Sequence, residues 1–114
     1  MGTRSLTFVY DEQGNKIINL YRQFDGYPTG HGQELAEFLN EQEYYNGAND
    51  LAALLVAHFK KEPMGFYLYH PDEEDCGQDY EYHLYENKVV VQDPGEVIFE
   101  GNWNEFEKFC VEAE

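Results

Sequence analysis

Hydrophobic and polar positions alternate from the first residues of the chain. In residues 3–10, Leu6, Phe8 and Tyr10 fall on one side and Thr7 and Val9 on the other, the period-two pattern of a strand. Asp11-Glu12-Gln13-Gly14-Asn15 carries turn chemistry, and residues 16–23 resume a strand, so a hairpin is predicted. Residues 24–32, rich in Gly and interrupted by Pro28, read as an irregular loop. The period then changes. Leu35, Phe38 and Leu39 lie at helical spacing, with Glu34 and Glu37 in the early turns where the helix dipole favours negative charge. Asn49 or Asp50 is placed to cap a second helix bearing Leu51, Leu54, Leu55, His58 and Phe59, and Pro63 is placed to stop it. Strand patterns return at 66–70, 80–85, 89–91 and 97–99, with Asp93-Pro94-Gly95 between the last two. Residues 102–112 close with a helix capped by Asn102 or Asn104 and marked by Trp103, Phe106 and Cys110.

The predicted order is ββααβββ(β)α. It points to an α+β fold in one compact domain spanning residues 1–114, with an antiparallel sheet of five or six strands packed with three helices. There is no internal repeat, low-complexity segment or linker.

Charge changes the functional picture more than the structural one. The net charge is −16, yet ten Tyr, eight Phe and one Trp supply a core that an acidic disordered tail lacks. Two Arg and five Lys are too few for the basic patch of a nucleic-acid binder, so direct phosphate-backbone binding is disfavoured. The acidity is uneven, −4 over residues 1–60 and −12 over 61–114. No apolar run reaches the roughly 20 residues of a membrane span, and none resembles a leader peptide. Cys76 and Cys110 therefore read as free thiols of a cytoplasmic protein, Cys110 in the core and Cys76 in a polar loop.

Several groups could carry chemistry. A three-residue turn in the first hairpin would set Phe8 against Ile18, Leu6 against Leu20 and Arg4 against Arg22. The two guanidiniums, with Asp25 and the backbone of Gly30-His31-Gly32 before a helix, would form a site for a small anion or a signalling nucleotide. The competing reading pairs each Arg with a carboxylate of the chain. Gly26–Gly32 matches neither a Walker loop nor a dinucleotide fingerprint. His58, on an apolar stripe, reads as a core histidine. The run from Asp72, Glu73, Glu74 and Asp75 to Asp79 lacks EF-hand spacing, and no HxxxH, HExxH or CxxC occurs, so neither a metal nor another cofactor is expected. Ser5 is the only serine and nothing sets a base beside it or Cys76, which leaves catalysis without a named residue. Tyr67 and Tyr69 fall opposite Phe66 and Leu68 on one strand. With Tyr80, Tyr82 and Tyr85 they suggest either cross-strand packing or an exposed, partner-binding face next to the acidic run. Such a face would also suit a homodimer.

Gly2-Thr3-Arg4-Ser5, the stretch YRQFDGYPTGHGQELAEFL from Tyr21 to Leu39, His58-Phe59-Lys60, and Tyr67-Leu68-Tyr69 before Cys76-Gly77 together resemble a family of small proteins of bacteriophages, including cyanophages, and of some large DNA viruses. The resemblance covers nearly the whole chain, and the second stretch is its most specific part. It implies no established activity and so no catalytic residue. Arg4, Arg22, Asp25, Gly26 and His31 lie inside the matching stretches. A viral origin would imply a non-catalytic protein directed at a host protein in the host cytoplasm, with a nucleic-acid mimic as one form of it.

Overall fold

A computed structural model describes residues 2–61 and 64–113. Six strands form one sheet: β1 (Ser5–Tyr10), β2 (Lys16–Arg22), β3 (Phe66–Tyr69), β4 (Tyr80–Tyr85), β5 (Lys88–Asp93) and β6 (Glu96–Gly101). Their spatial order is β3-β2-β1-β4-β5-β6. Helices α1 (Gln33–Glu41), α2 (Gly47–Phe59) and α3 (Trp103–Glu112) complete the α+β fold. The radius of gyration, 12.8 Å, matches the ~13 Å of a single domain of this length.

The sheet is mixed where an antiparallel one was expected. Neighbours pair antiparallel except at the centre, where β1 runs parallel to β4, Ser5 opposite Tyr80 and Val9 opposite Leu84. β1 and β2 form a hairpin and β4, β5 and β6 a meander. The parallel seam joins these two halves, and the chain between them supplies α1, α2 and the edge strand β3.

Alternation gives the sheet two unlike faces. Val9, Leu20, Tyr82, Leu84, Val89 and Val91 pack with Leu35, Leu39, Leu55 and Phe106 of the helices in the main core. Leu6, Phe8 and Tyr21 form a smaller cluster on the other face, partly covered by Tyr10 and Cys76. That face has no helix; the loop of residues 70–79 lies over part of it, held by Asn19 Nδ2 donating to the carbonyls of His70 (3.3 Å) and Glu73 (2.8 Å).

The helices follow their apolar stripes. Leu35, Ala36, Phe38 and Leu39 of α1 are buried, as are Phe106 and Cys110 of α3. Asn102 caps α3 in a reciprocal box with Glu105, both hydrogen bonds 2.8 Å. α2 begins earlier than its predicted cap: Asn46 is the cap residue, and the Asp50 carboxylate reaches back to its N–H at 2.8 Å. Pro63, the predicted stop, lies outside the described residues. Residues 28–32 are not irregular but form a π-helical turn, Pro28–Gly32, leading into α1. Gly32 is required there by a close approach, because a Cβ would stand 2.8 Å from Cys110 Sγ and 3.3 Å from the Tyr82 ring.

Candidate functional site

The predicted pairing of Arg4 with Arg22 is not formed, and a single residue decides it. Next to the turn, Tyr10 faces Lys16, as the three-residue register requires. A bulge follows, Val9 then faces Ile18, and every later pair is displaced by one, so that Ser5 faces Arg22, Phe8 faces Asn19 and Leu6 faces Tyr21. Arg4 and Arg22 now have opposite parity. The Arg22 guanidinium lies on the helical side, with Nη1 3.1 Å and Nη2 3.4 Å from the two Glu34 oxygens, Asp25 at 4.0 Å and the Phe66 ring 5.0 Å below. Arg4 lies towards Gly77, whose Cβ would come 3.1 Å from Nη1, and its Nε is buried without a hydrogen-bond partner.

The loop amides expected to receive an anion are also engaged. Gly30 N–H donates to Tyr27 O at 2.9 Å, His31 N–H to Asp25 O at 2.7 Å and Gly32 N–H to Tyr27 O at 3.4 Å. Arg22, Asp25, Gly30, His31 and Gly32 therefore do meet, but as a strut. Arg22 can only donate, so His31 Nδ1 accepts from Nη1 at 3.2 Å, and Nε2–H must donate to Thr7 Oγ1 at 2.7 Å. His31 is fully buried, and burial, reinforced by the Arg22 charge, pushes its pKa down to about 3. The imidazole is neutral and load is shared among strand, turn and helix. The alternative carboxylate pairing is what Arg22 adopts, while the Arg4 guanidinium takes no carboxylate among the described residues and points away from it, so the two guanidiniums do not converge on one anion.

The open face holds a second polar chain that sequence patterns do not reveal. The parallel seam sets Phe8 opposite His83, which places Tyr10 beside Tyr85. Glu81 Oε1 accepts from His83 Nε2 at 3.0 Å, leaving Nδ1 to accept the Tyr10 hydroxyl at 2.7 Å. The Tyr10 ring stacks on Tyr85 with centroids 4.3 Å apart. Burial, with Tyr85, Glu81 and Glu74 nearby, raises the Tyr10 pKa, while the bond from His83 lowers that of Glu81. An activated nucleophile needs the opposite shift. Tyr10 is a fixed donor, not a phenolate. Lys16, at the same cleft, is held by Glu74 at 2.7 Å and lies 4.3 Å from the Phe8 ring centroid. This cleft, lined by Tyr10, Lys16, Glu74, Glu81, His83 and Tyr85, encloses about 440 Å³.

At the outer end of that face stand the tyrosines singled out earlier. Tyr67 and Tyr69 flank Tyr21, with centroid distances of 5.9 and 5.3 Å. β3 is nonetheless an edge strand, and Tyr67, Leu68 and Tyr69 are 42%, 56% and 39% exposed. Asp72, Glu73, Glu74 and Asp75 follow it, all exposed. Glu74 takes Lys16, while among the described residues neither Glu73 nor Asp75 has a cationic partner. Tyr80, Tyr82 and Tyr85 do not join this group: Tyr82 is in the core, its hydroxyl donating to Gly26 O at 2.7 Å.

His58 packs its ring against Phe38 and Phe59, each centroid 4.9 Å away. Cys110 is buried and Cys76 half-buried, both free thiols. Burial pushes the Cys110 thiol up to about 12, and burial with Glu73 and Asp75 raises Cys76. Neither is poised as a nucleophile. Among the described residues no group of three or more His, Cys, Asp or Glu side chains is placed to hold a metal ion, and no helix is long and apolar enough to cross a membrane.

No family model, curated protein or solved structure matches the chain. Its function rests on its own geometry.

Proposed function

We propose that the chain is a non-catalytic binding protein that engages a basic, extended segment of a protein partner along β3 and the acidic loop that follows it. The observation carrying this reading is the juxtaposition of three consecutive exposed residues, Tyr67, Leu68 and Tyr69, on an edge strand with four consecutive exposed carboxylates. Natural sheets blunt their edges with charge, proline or cover, because an unpaired edge recruits another strand. Here the edge carries aromatic and aliphatic side chains instead. A peptide added to β3 would form main-chain hydrogen bonds and pack alternate side chains against the tyrosines. Loop residues Asp72 to Asp75 would then select lysine or arginine in its sequence.

Charge also supports one occupant over the other. A second copy of the chain would bring another net −16 against the same edge, so a basic partner is favoured over a homodimer. Taken with the resemblance to viral proteins, the partner would be a host protein in the cytoplasm. The nucleic-acid mimic is the form in which that host protein normally grips phosphates.

A fluorescent octapeptide of alternating lysine and valine is the probe. It is expected to bind with an affinity that falls as salt rises, to lose about tenfold or more on Leu68→Asp, and to lose several-fold on neutralising Glu73 and Asp75 together. Both sites are exposed, so unfolding midpoints should be unchanged. Equal binding of a valine–serine peptide, or full affinity in both variants, would sink the reading. A concentration-dependent dimer abolished by Leu68→Asp would replace it with self-association.

A further inference from the structure

A cavity opens at the far end of the sheet, past the stacked Tyr10–Tyr85 pair. It measures about 190 Å³ and lies between the β1–β2 turn, the start of α2 and the β4–β5 turn. Ala48, Leu51 and Leu84 line its apolar part, and Tyr10, Tyr45 and Tyr85 its walls. Asp11, Glu12 and Glu86, with Gly47, form the rest of the lining. Carboxylates alone would be ordinary acidic surface; here they border a cavity whose lining is part polar and part apolar, and that combination makes the arrangement a site.

Three further observations fix the chemistry. Asp11 is kept ionised by the turn it organises, its Oδ1 accepting from Gln13 N–H and Asn15 N–H at 2.9 Å each. Glu12 lies over the start of α2, its Oε2 3.9 Å from where a Gly47 Cβ would be. Tyr45 stands beside them in the lining, and burial, with Glu86 and Glu12 nearby, raises the pKa of its hydroxyl. Among the described residues no lysine or arginine pairs with Asp11, Glu12 or Glu86. Lys88, over the Tyr85 ring, is turned to Glu100 at 3.5 Å. The amides at the start of α2 would by themselves favour an anion. Asp50 already takes the Asn46 N–H, and three carboxylates outweigh the half charge of a helix end.

We propose that this cavity binds an amphipathic organic cation, an alkylammonium group of the kind a lysine side chain carries. The stem would lie on Leu51 and Leu84 with the head among the carboxylates, the division of labour that long cationic side chains show at mixed surfaces. The volume suits such a fragment. It exceeds the ~150 Å³ that holds benzene and is well below the ~300 Å³ at which pockets for larger ligands begin. The site shares no residue with β3 or the acidic loop, so it stands or falls apart from the reading above.

The test is an NMR titration of the full chain with n-butylammonium, n-butanol and butyrate. The cation is expected to shift the Ala48, Leu51 and Tyr45 resonances saturably. Butanol should bind about tenfold more weakly, and the Glu12→Gln, Glu86→Gln double variant should lose a similar factor for the cation only. Those carboxylates are exposed, and an unchanged Tm would show that the fold is kept. Leu68→Asp should leave the titration untouched. Equal or tighter binding of butyrate would overturn the proposal in favour of an anion at the helix end. Unchanged cation affinity in the double variant, or no saturable shift, would overturn it outright.

Discussion

His31 is held between a donor that cannot accept and a hydroxyl that can do both, so its protonation state is set by its neighbours. In the unfolded chain the imidazole takes a proton near pH 6.5, in the folded chain only near 3. Between those values the unfolded state binds more protons, so stability falls as pH drops from about 6.5 towards 3, with a slope approaching about 1.4 kcal/mol per pH unit. Urea midpoints measured from pH 7 to pH 5 should decline in the parent and decline less in His31→Gln. Equal slopes would assign the acid sensitivity to other groups. At this scale the sequence named residues that do meet, with one exception: Arg22, Asp25 and His31 converge, but one bulged position near Ile17 takes Arg4 out of register with Arg22. Nothing in the residue types of a hairpin announces such a bulge.

Elements were legible in proportion to how far local periodicity determined them. The stripes of α1 and α3 could be read directly because burial of one helix face imposes them, and the strands from their runs of aromatic and branched residues, with alternation plainest at residues 3–10 and 80–85. The start of α2 could not, since Asp50 caps by reaching back to Asn46 and not from the cap position itself. Nor could the π-helical turn, whose geometry is dictated by the contact of Gly32 with α3. That contact yields a prediction. Gly32→Ala would force its Cβ against Cys110 Sγ and should cost about 1–3 kcal/mol. Combined with Cys110→Ala, which removes the obstructing sulfur, the two losses should be less than additive. A double-mutant cycle by denaturant unfolding measures this, and strict additivity would place the strain elsewhere.

On the scale of the whole molecule, a net charge of −16 on a chain of 114 residues is self-repulsive. Raising salt from about 20 to about 300 mM, which shrinks the screening length severalfold, should therefore raise Tm while weakening binding of the lysine–valine peptide. A Tm insensitive to salt would mean that the charges are already compensated locally. The Tyr10–His83–Glu81 chain also belongs here, because it exists only where distant strands meet. β1 and β4 are parallel partners with the chain from Asp11 to Asp79 between them, and no local pattern discloses that pairing. The same seam governs how the protein is made. Emerging at about 5–20 residues per second, β1 waits roughly 4–15 s for β4, with one edge bare and Leu6 and Phe8 beside it. The newborn N-terminal half thus exposes a strand edge and apolar side chains that only the finished fold covers.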